Sequence, residues 1–209
     1  GLISSNETLV NNYAIDFQKG EFGLENSNFK INLSLLLNES KKPFTLFGYF
    51  PLDKNKVMDL RLGGNEEFLH LIDKLSSQNF AYKNGEANLR MLIKGTLNKP
   101  IANGFLYIKE GEIDIYKNPL KEIETSFIFD FDQIEIKNFS AKGHKSGNVF
   151  IKGALPFYKG LAKDSKSLEF IASDLRLLGN NIDVLLDSDI KINGSFENPK
   201  INGNLRFKE

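Results

Sequence analysis

The stretch GTLNKPIANGFLYI, Gly95–Ile108, carries a pattern of glycine and proline that recurs as GSFENPKINGNLRF at Gly194–Phe207. Aligned without a gap, both copies have glycine at the first position, proline at the sixth and glycine at the tenth. The second position is a small hydroxyl residue in both copies, Thr96 and Ser195. Because glycine and proline mark chain reversals, this repeat predicts two equivalent turns, at each of which one strand ends and the next begins.

The residues around these marks alternate between apolar and polar, which is the period of a strand with one buried face. ANLRMLIKG at 87–95, NFKINLSLLL at 28–37 and SFIFDFDQIEI at 126–136 all alternate in this way. Shorter runs near 13–17, 168–172 and 189–192 do the same. The breaks KNGE, KEGE, KSGN and LGNN between the runs predict turns. The sequence therefore predicts an all-β chain of antiparallel hairpins.

The second copy of the repeat predicts which face of each strand is apolar. Every residue of Phe105–Ile108 is apolar, but of the matching residues 204–207 only Leu205 and Phe207 are. By analogy Leu106 and Ile108 lie on the apolar face, and Phe105 and Tyr107 lie outside. Extended to the other runs, the predicted apolar face comprises Leu89, Met91, Ile93, Leu106, Ile108, Ile113, Ile115, Phe127, Phe129, Phe131, Ile134, Ile136, Val149, Ile151, Ile190, Ile192, Leu205 and Phe207.

One stretch has the helical period instead. NEEFLHLIDKLSS at 65–77 places Phe68, Leu71, Ile72 and Leu75 at i, i+3, i+4 and i+7. Asn65 is a suitable N-cap, so the spacing predicts a helix near 66–76 that packs its apolar stripe against the sheet or caps an end of it.

A second repeated motif predicts the domain organisation. GYFPL at Gly48–Leu52 resembles GALPF at Gly153–Phe157, and each is followed by the tetrapeptide Asp-Leu-Arg-Leu, at 59–62 and 174–177. The prediction is a β-rich portion at 1–47, a repeat unit with the helix at 48–152, and a second, truncated unit at 153–209. Supersecondary units that stack in this way build an extended protein.

The composition gives little support for catalysis or for binding of metal ions and nucleic acid. The chain of 209 residues has no cysteine and two histidines, and Lys+Arg and Asp+Glu are equal at 27 each. Balanced charge gives no reason to bind nucleic acid, and histidines this far apart in sequence give none for a zinc site. Asp130 and Asp132, two residues apart, are assigned to one polar strand face rather than to glycoside hydrolysis. We expect no enzyme activity, no cofactor and no metal.

An apolar sheet face has to be covered, and three kinds of structure can cover it. A closed β domain covers the face with its own core and has a structural role. A trough leaves the face to a ligand such as an acyl chain. A scaffold uses the sheet edge to template incoming strands.

The residues from Gly64 to Ile113 and from Ser126 to Pro156 resemble the C-terminal region of the TamB family, AsmA-like bridge-type lipid transfer proteins with cyanobacterial and chloroplast-envelope members. The motifs that carry the resemblance occur in order: G-x-A-x-L, GTLNKP, G-x-L-x-I-x-x-G-x-I, F-x-F-x-x-x-x-I-x-I and GNVFIKGALP. The resemblance covers most of 48–209, whereas 1–47 agrees only in its alternation.

The resemblance implies a β-taco, an elongated antiparallel sheet curled lengthwise around an apolar interior. It implies the periplasmic portion of a protein anchored in the inner membrane outside this segment, or an intermembrane-space portion in a chloroplast. The implied function is phospholipid transport between inner and outer membranes and support of outer-membrane biogenesis. The implied partners are phospholipid acyl chains, which the apolar-face residues would line, and an outer-membrane barrel of the BamA type. The family motif contains no catalytic residue. The chain itself reads as a segment cut from a longer protein.

Overall fold

The computed structural model describes residues 2–10, 13–37, 42–75, 79–158, 167–179 and 183–208. The elements are β1 (Leu2–Val10), β2 (Tyr13–Glu25), β3 (Asn28–Leu37), β4 (Phe44–Pro51), β5 (Val57–Gly64), α1 (Glu67–Leu75), β6 (Phe80–Thr96), β7 (Lys99–Ile115), β8 (Asn118–Phe131), β9 (Gln133–Gly143), β10 (Asn148–Pro156), β11 (Leu168–Leu178), β12 (Asp183–Ser195) and β13 (Asn198–Lys208).

All of these strands form one antiparallel sheet, and their order in the sheet is their order in the sequence. Each strand therefore pairs with the strand before it and the strand after it, and the sheet remains open between β1 and β13. The predicted all-β class and the single short helix are confirmed for the described residues. The boundaries predicted at 47–48 and 152–153 fall within this one sheet and stay predictions.

The two glycine-proline repeats form the same hairpin. Gly95 lies opposite Pro100 between β6 and β7, and Gly194 lies opposite Pro199 between β12 and β13. In the first hairpin the Thr96 hydroxyl accepts a hydrogen bond from the Lys99 backbone N–H, at 3.2 Å. In the second, the Ser195 hydroxyl accepts from the Asn198 N–H at the same distance, 3.2 Å. The prediction that this pattern marks a strand-to-strand reversal is confirmed.

Backbone crowding explains why the first position of each repeat is glycine. Gly95 has φ +85°, and an added Cβ would lie 2.4 Å from the Lys99 carbonyl oxygen. Gly194 has φ +89°, and its Cβ would lie 2.5 Å from the Asn198 carbonyl oxygen. L-residues avoid this backbone conformation, and no real Cβ approaches an oxygen that closely.

The Asp-Leu-Arg-Leu tetrapeptides do not occupy equivalent places, so that part of the repeat prediction is wrong. Leu60, in the first tetrapeptide, lies opposite Ile93, two residues before Gly95. The residue opposite Ile192, two before Gly194, is Leu168 rather than a member of 174–177. Leu175, which holds the place of Leu60 in the second tetrapeptide, therefore lies seven residues further along β11 than Leu168.

Two of the predicted turns are β-bulges. KNGE at 83–86 lies inside β6 and KEGE at 109–112 lies inside β7, and the register between the two strands shifts at both places. The bulges lie side by side, since a Cβ on Gly85 would lie 2.6 Å from the Cα atom of Gly111. A bulge lets a long strand bend without ending. KSGN at 145–148 forms the predicted reversal between β9 and β10, whereas the second half of LGNN, residues 180 and 181, lies outside the described residues.

The helix α1 packs on the apolar face as predicted, but its first turn is capped differently. Phe68, a member of the predicted stripe, is buried against the sheet together with Leu69, which was not a predicted member. Ile72 is 43% exposed, so its predicted place against the sheet is wrong. The Asn65 side chain accepts a hydrogen bond from the Asn88 amide at 3.0 Å. The Glu67 carboxylate instead accepts from the Asn65 backbone N–H, at 3.1 Å. A buried glutamate thus closes the start of the helix.

The main core lies under α1 and continues across the apolar face as far as β11. Its members include Tyr82, Leu89, Ile113, Ile123, Val149 and Leu175. Where β8 begins and β11 ends, the sheet curls so far that these two strands contact each other past the end of the shorter β9–β10 hairpin. The Asn118 side chain accepts from the Leu178 N–H at 2.6 Å and donates to the Leu178 carbonyl at 3.1 Å. One amide side chain thus holds the two strands together.

The glycine repeat predicts a sharp difference between two glycine substitutions. Gly95→Ala should lower the free energy of unfolding by on the order of 1–3 kcal/mol, because alanine has to adopt a strained backbone against Lys99. Gly23→Ala is the matched control, since its Cβ meets nothing within 4 Å, and it should leave stability unchanged or slightly raised. Urea unfolding of the two variants measures both effects, and equal stabilities would contradict the role of Gly95.

The Thr125 hydroxyl is buried and makes no hydrogen bond within the described residues. Thr125→Val keeps the shape of the side chain and removes this unsatisfied group, so we expect the free energy of unfolding to rise by about 1 kcal/mol. Thr45→Val is the control, because the Thr45 hydroxyl donates to the Gly63 carbonyl at 3.2 Å, and it should lose stability. Thermal unfolding followed by circular dichroism distinguishes a gain at 125 from a loss there.

Candidate functional site

The strand register places the whole predicted apolar face on one side of the sheet, because residues opposite each other in adjacent strands share a face. One row of cross-strand neighbours runs from Leu89 through Leu106 and Phe127 to Ile136. Other rows contain the remaining members, Met91, Ile93, Ile108, Ile113, Ile115, Phe129, Phe131, Ile134, Val149, Ile151, Ile190, Ile192, Leu205 and Phe207. We refer to this side as the inner face.

The inner face is packed in its middle and open at its margin. Leu89, Ile113, Ile136 and Val149 are buried in hydrophobic clusters. By contrast, Leu205 is 56% exposed and Phe207 is 63% exposed, both on β13. Met91, Ile93, Leu106, Ile108 and Phe129 are partly buried. Whether these residues line a lipid groove stays a prediction, and a ligand would reach the marginal residues before the central ones.

The inner face extends further than the sequence patterns indicated. On β4 and β5 it continues through Leu46 and Leu62, which lie opposite each other, through Met58 opposite Gly95, and through Phe44 opposite Leu35. In β5 the run Met58–Leu62 alternates strictly between apolar and polar residues, so it was a signal for this face, whereas β4 has no alternating run of that length. For β4, pairing with the alternating strand Asn28–Leu37 places Phe44 opposite Leu35 and Leu46 opposite Leu33.

Two polar side chains from helix and strand meet beneath α1. The His70 ring packs edge-on against the Tyr82 ring, with the centroids 4.7 Å apart. The Tyr82 hydroxyl donates to the Gly85 carbonyl at 2.5 Å, inside the bulge of β6. Burial raises the pKa of Tyr82 to about 12. His70 is partly buried, and His144 lies exposed in its turn.

Asp130 and Asp132 do not share a strand face, so that prediction is wrong. Asp130 lies on β8 opposite Gln133, and Phe131 and Asp132 form the two-residue reversal between β8 and β9. Phe131 has φ 56°, a turn conformation, and its side chain is 59% exposed. A short reversal inside a run of alternating residues has no sequence signal when it lacks glycine and asparagine.

Ion pairs lie on the opposite side, which we call the outer face. The Asp59 carboxylate lies 3.5 Å from the Arg61 Nε atom and 3.5 Å from the Lys94 ammonium. The Glu169 carboxylate lies between Lys152 and Lys191, at 3.4 and 3.5 Å. Hydrogen bonding to Lys152 is the main cause that lowers the pKa of Glu169 below its usual range. Charge is therefore kept on one face and apolar side chains on the other.

Exposed aromatic residues also lie on the outer face. Phe105 is 38% exposed and Tyr107 is 41% exposed, and their rings are stacked with the centroids 6.3 Å apart. Their outward orientation, predicted from the second repeat, is confirmed.

Two further observations on the described residues concern metal binding and helices that could span a membrane. They include no group of three histidine, aspartate or glutamate side chains placed to hold a metal ion. Their one helix has nine residues, about 14 Å of rise, and falls well short of the roughly 30 Å thickness of a membrane core.

The packing of the inner face predicts a pattern of thiol reactivity. Because the chain has no cysteine of its own, a single introduced cysteine is the only thiol that a maleimide can label. Val149→Cys should react with a maleimide at least about tenfold more slowly than Phe150→Cys, because local opening limits access to the packed side. Val149 is 3% exposed and its neighbour Phe150 is 50% exposed. Phe207→Cys, on the open margin of the inner face, should react as fast as Phe150→Cys. Equal rates at 149 and 150 would contradict the packed centre.

Comparison with known proteins gives a distant similarity. Protein TIC236, chloroplastic, from Arabidopsis thaliana, is 22% identical to this chain over 128 residues, which is 60% of this chain and 6% of that protein. No protein-family profile matches the chain, and no solved structure does. TIC236 is related to the TamB family, so the match supports a TamB-like character for this segment and nothing finer.

Proposed function

We propose that this chain is a segment of a TamB-like envelope protein whose inner face carries phospholipid acyl chains between two membranes. The observation that carries the proposal is the division of one continuous open sheet into an apolar face and a charged face. Across the described strands the inner face contains aliphatic and phenylalanine side chains, while the ion pairs lie on the outer face. The similarity to TIC236 adds support from an independent direction.

The energetics of lipid transfer favour such a surface. Burial of a methylene group is worth about 0.8 kcal/mol, so two acyl chains of about 16 carbons contribute roughly 25 kcal/mol. A bilayer supplies that free energy already, and a lipid leaves it only for a surface of similar apolarity. Movement also requires many weak and similar sites rather than one tight pocket. A uniform aliphatic and phenylalanine face fits both requirements.

The filled centre of the inner face defines the route within this proposal. Under α1, side chains such as Phe68 and Leu89 exclude solvent from the sheet. An acyl chain would therefore travel along the exposed margin near Leu205 and Phe207, or displace α1 from β6. The segment would contact lipid along one side of its curl rather than through a central tube.

The test is lipid retention after expression in bacteria, measured by native mass spectrometry with lipid extraction. Leu205→Asn combined with Phe207→Asn should lose most of the co-purified phospholipid, because both side chains are exposed on the inner face. Ile171→Asn combined with Phe150→Asn is the control, since it removes a similar exposed pair from the outer face. Equal lipid in the two double variants, or a folded wild type without lipid, would contradict transport on the inner face.

A second candidate function is a scaffold that templates strands of outer-membrane proteins. The observation that favours it is β13, the last strand of the sheet that the described residues form, in which every residue from Asn198 to Phe207 is exposed. An edge strand offers unpaired backbone groups to an incoming strand. Strand-like peptides would then bind, and prolines introduced along β13 would abolish the binding while leaving lipid retention in place.

A further inference from the structure

The outer face contains a hollow of about 690 Å³ between β4 and β7. One row of outward-facing positions that lines it runs from Thr45 through Gly63 and Arg90 to Phe105. Gly63 contributes no side chain to this row, and that gap makes room for the hollow. A Cβ at Gly63 would lie 3.1 Å from the Thr45 hydroxyl and 3.3 Å from the Arg90 Nη1 atom.

The hollow is positively charged, although the chain as a whole is neutral. Lys42, Arg61 and Arg90 line it, and none of the residues that line it is an aspartate or a glutamate. The Arg90 guanidinium donates to the Leu89 carbonyl at 2.8 Å and to that of Gly64 at 3.4 Å. These carbonyls fix the direction of the guanidinium without neutralising its charge. The carboxylate beside Arg61, that of Asp59, is shared with Lys94.

The walls of the hollow are apolar. Phe47 is 44% exposed on one side, and Phe105 is 38% exposed on the other. The Arg61 guanidinium carbon lies 5.5 Å from the centre of the Phe47 ring, which holds the charge at the wall. A hollow of this volume is of the size that takes an organic ligand rather than a bare inorganic ion. Its geometry suits an anionic group joined to a partly apolar body.

We propose that this hollow binds the phosphodiester headgroup of an anionic phospholipid in a membrane surface. Arg61 and Arg90 would contact the phosphate oxygens, which guanidinium groups bind through paired hydrogen bonds. Phe47 and Phe105 would lie against the glycerol and the first carbons of the acyl chains, as phenylalanine does at the boundary between headgroups and acyl chains. The site lies on the opposite face from the proposed acyl-chain surface, so it stands or falls independently of that function.

Flotation with phosphatidylglycerol-containing vesicles, compared with pure phosphatidylcholine vesicles, measures this binding. Arg61→Gln combined with Arg90→Gln should weaken binding to the anionic vesicles about twentyfold, since each cation near an anionic surface contributes about fivefold. Lys137→Gln combined with Lys152→Gln is the control, because it removes the same charge from the outer face away from the hollow. The control should bind within about twofold of the wild type. Circular dichroism establishes that each variant is folded.

A second variant separates shape from charge. Asn103→Trp fills the hollow, whose lining includes Asn103, and keeps both arginines, so it should lose binding to a similar extent. Leu205→Asn combined with Phe207→Asn, on the inner face, should keep vesicle binding even if it loses co-purified lipid. Equal losses in the hollow and control variants, wild-type binding by Asn103→Trp, or no binding by the wild type would overturn the proposal. Saturable binding of soluble glycerophosphoglycerol without vesicle binding would overturn the membrane source.

Discussion

Antiparallel pairing of each strand with its neighbour in the sequence is the constraint on which the rest of this structure depends. Side chains alternate between the two faces of a strand, so one fixed register decides the face of every residue beyond it. A slip of one residue at the Gly95 hairpin would move Leu106 to the charged side while Leu89 stayed on the inner face. The hairpins with crowded glycines therefore fix the inner face as well as the chain reversals.

The same constraint explains how a continuous sheet can be long and curled. Strands that follow one another leave no crossover to cover either face, so each face has to be covered by curvature, by the helix or by a ligand. Bulges at Gly85 and Gly111 bend two strands of seventeen residues without ending them. The side-chain amide of Asn118 then joins β8 to β11 where the sheet has curled furthest.

The two faces offer different chemistry for that reason. Inner-face residues cluster into a core wherever curvature brings them together, and they remain exposed on β13, where no further strand of the described residues adds packing. Outer-face residues form cross-strand ion pairs, apart from the positively charged hollow around Gly63. A lipid-handling surface and an anion-binding surface can therefore coexist on one sheet, each accessible from its own side.

The sequence by itself determined the strand alternation, the helix and the phase of the inner face, because periods of two and 3.6 residues are local properties. It also determined the two equivalent hairpins at Gly95 and Gly194, since glycine and proline set the dihedral angles that their own backbone can adopt. Only the tertiary structure decided that KNGE and KEGE are bulges, that Phe131 and Asp132 turn, and which Asp-Leu-Arg-Leu segment faces Ile93. Those outcomes depend on neighbouring strands. The hollow between Arg61 and Arg90 depends on them too, because register across four strands brings residues far apart in sequence onto adjacent rows.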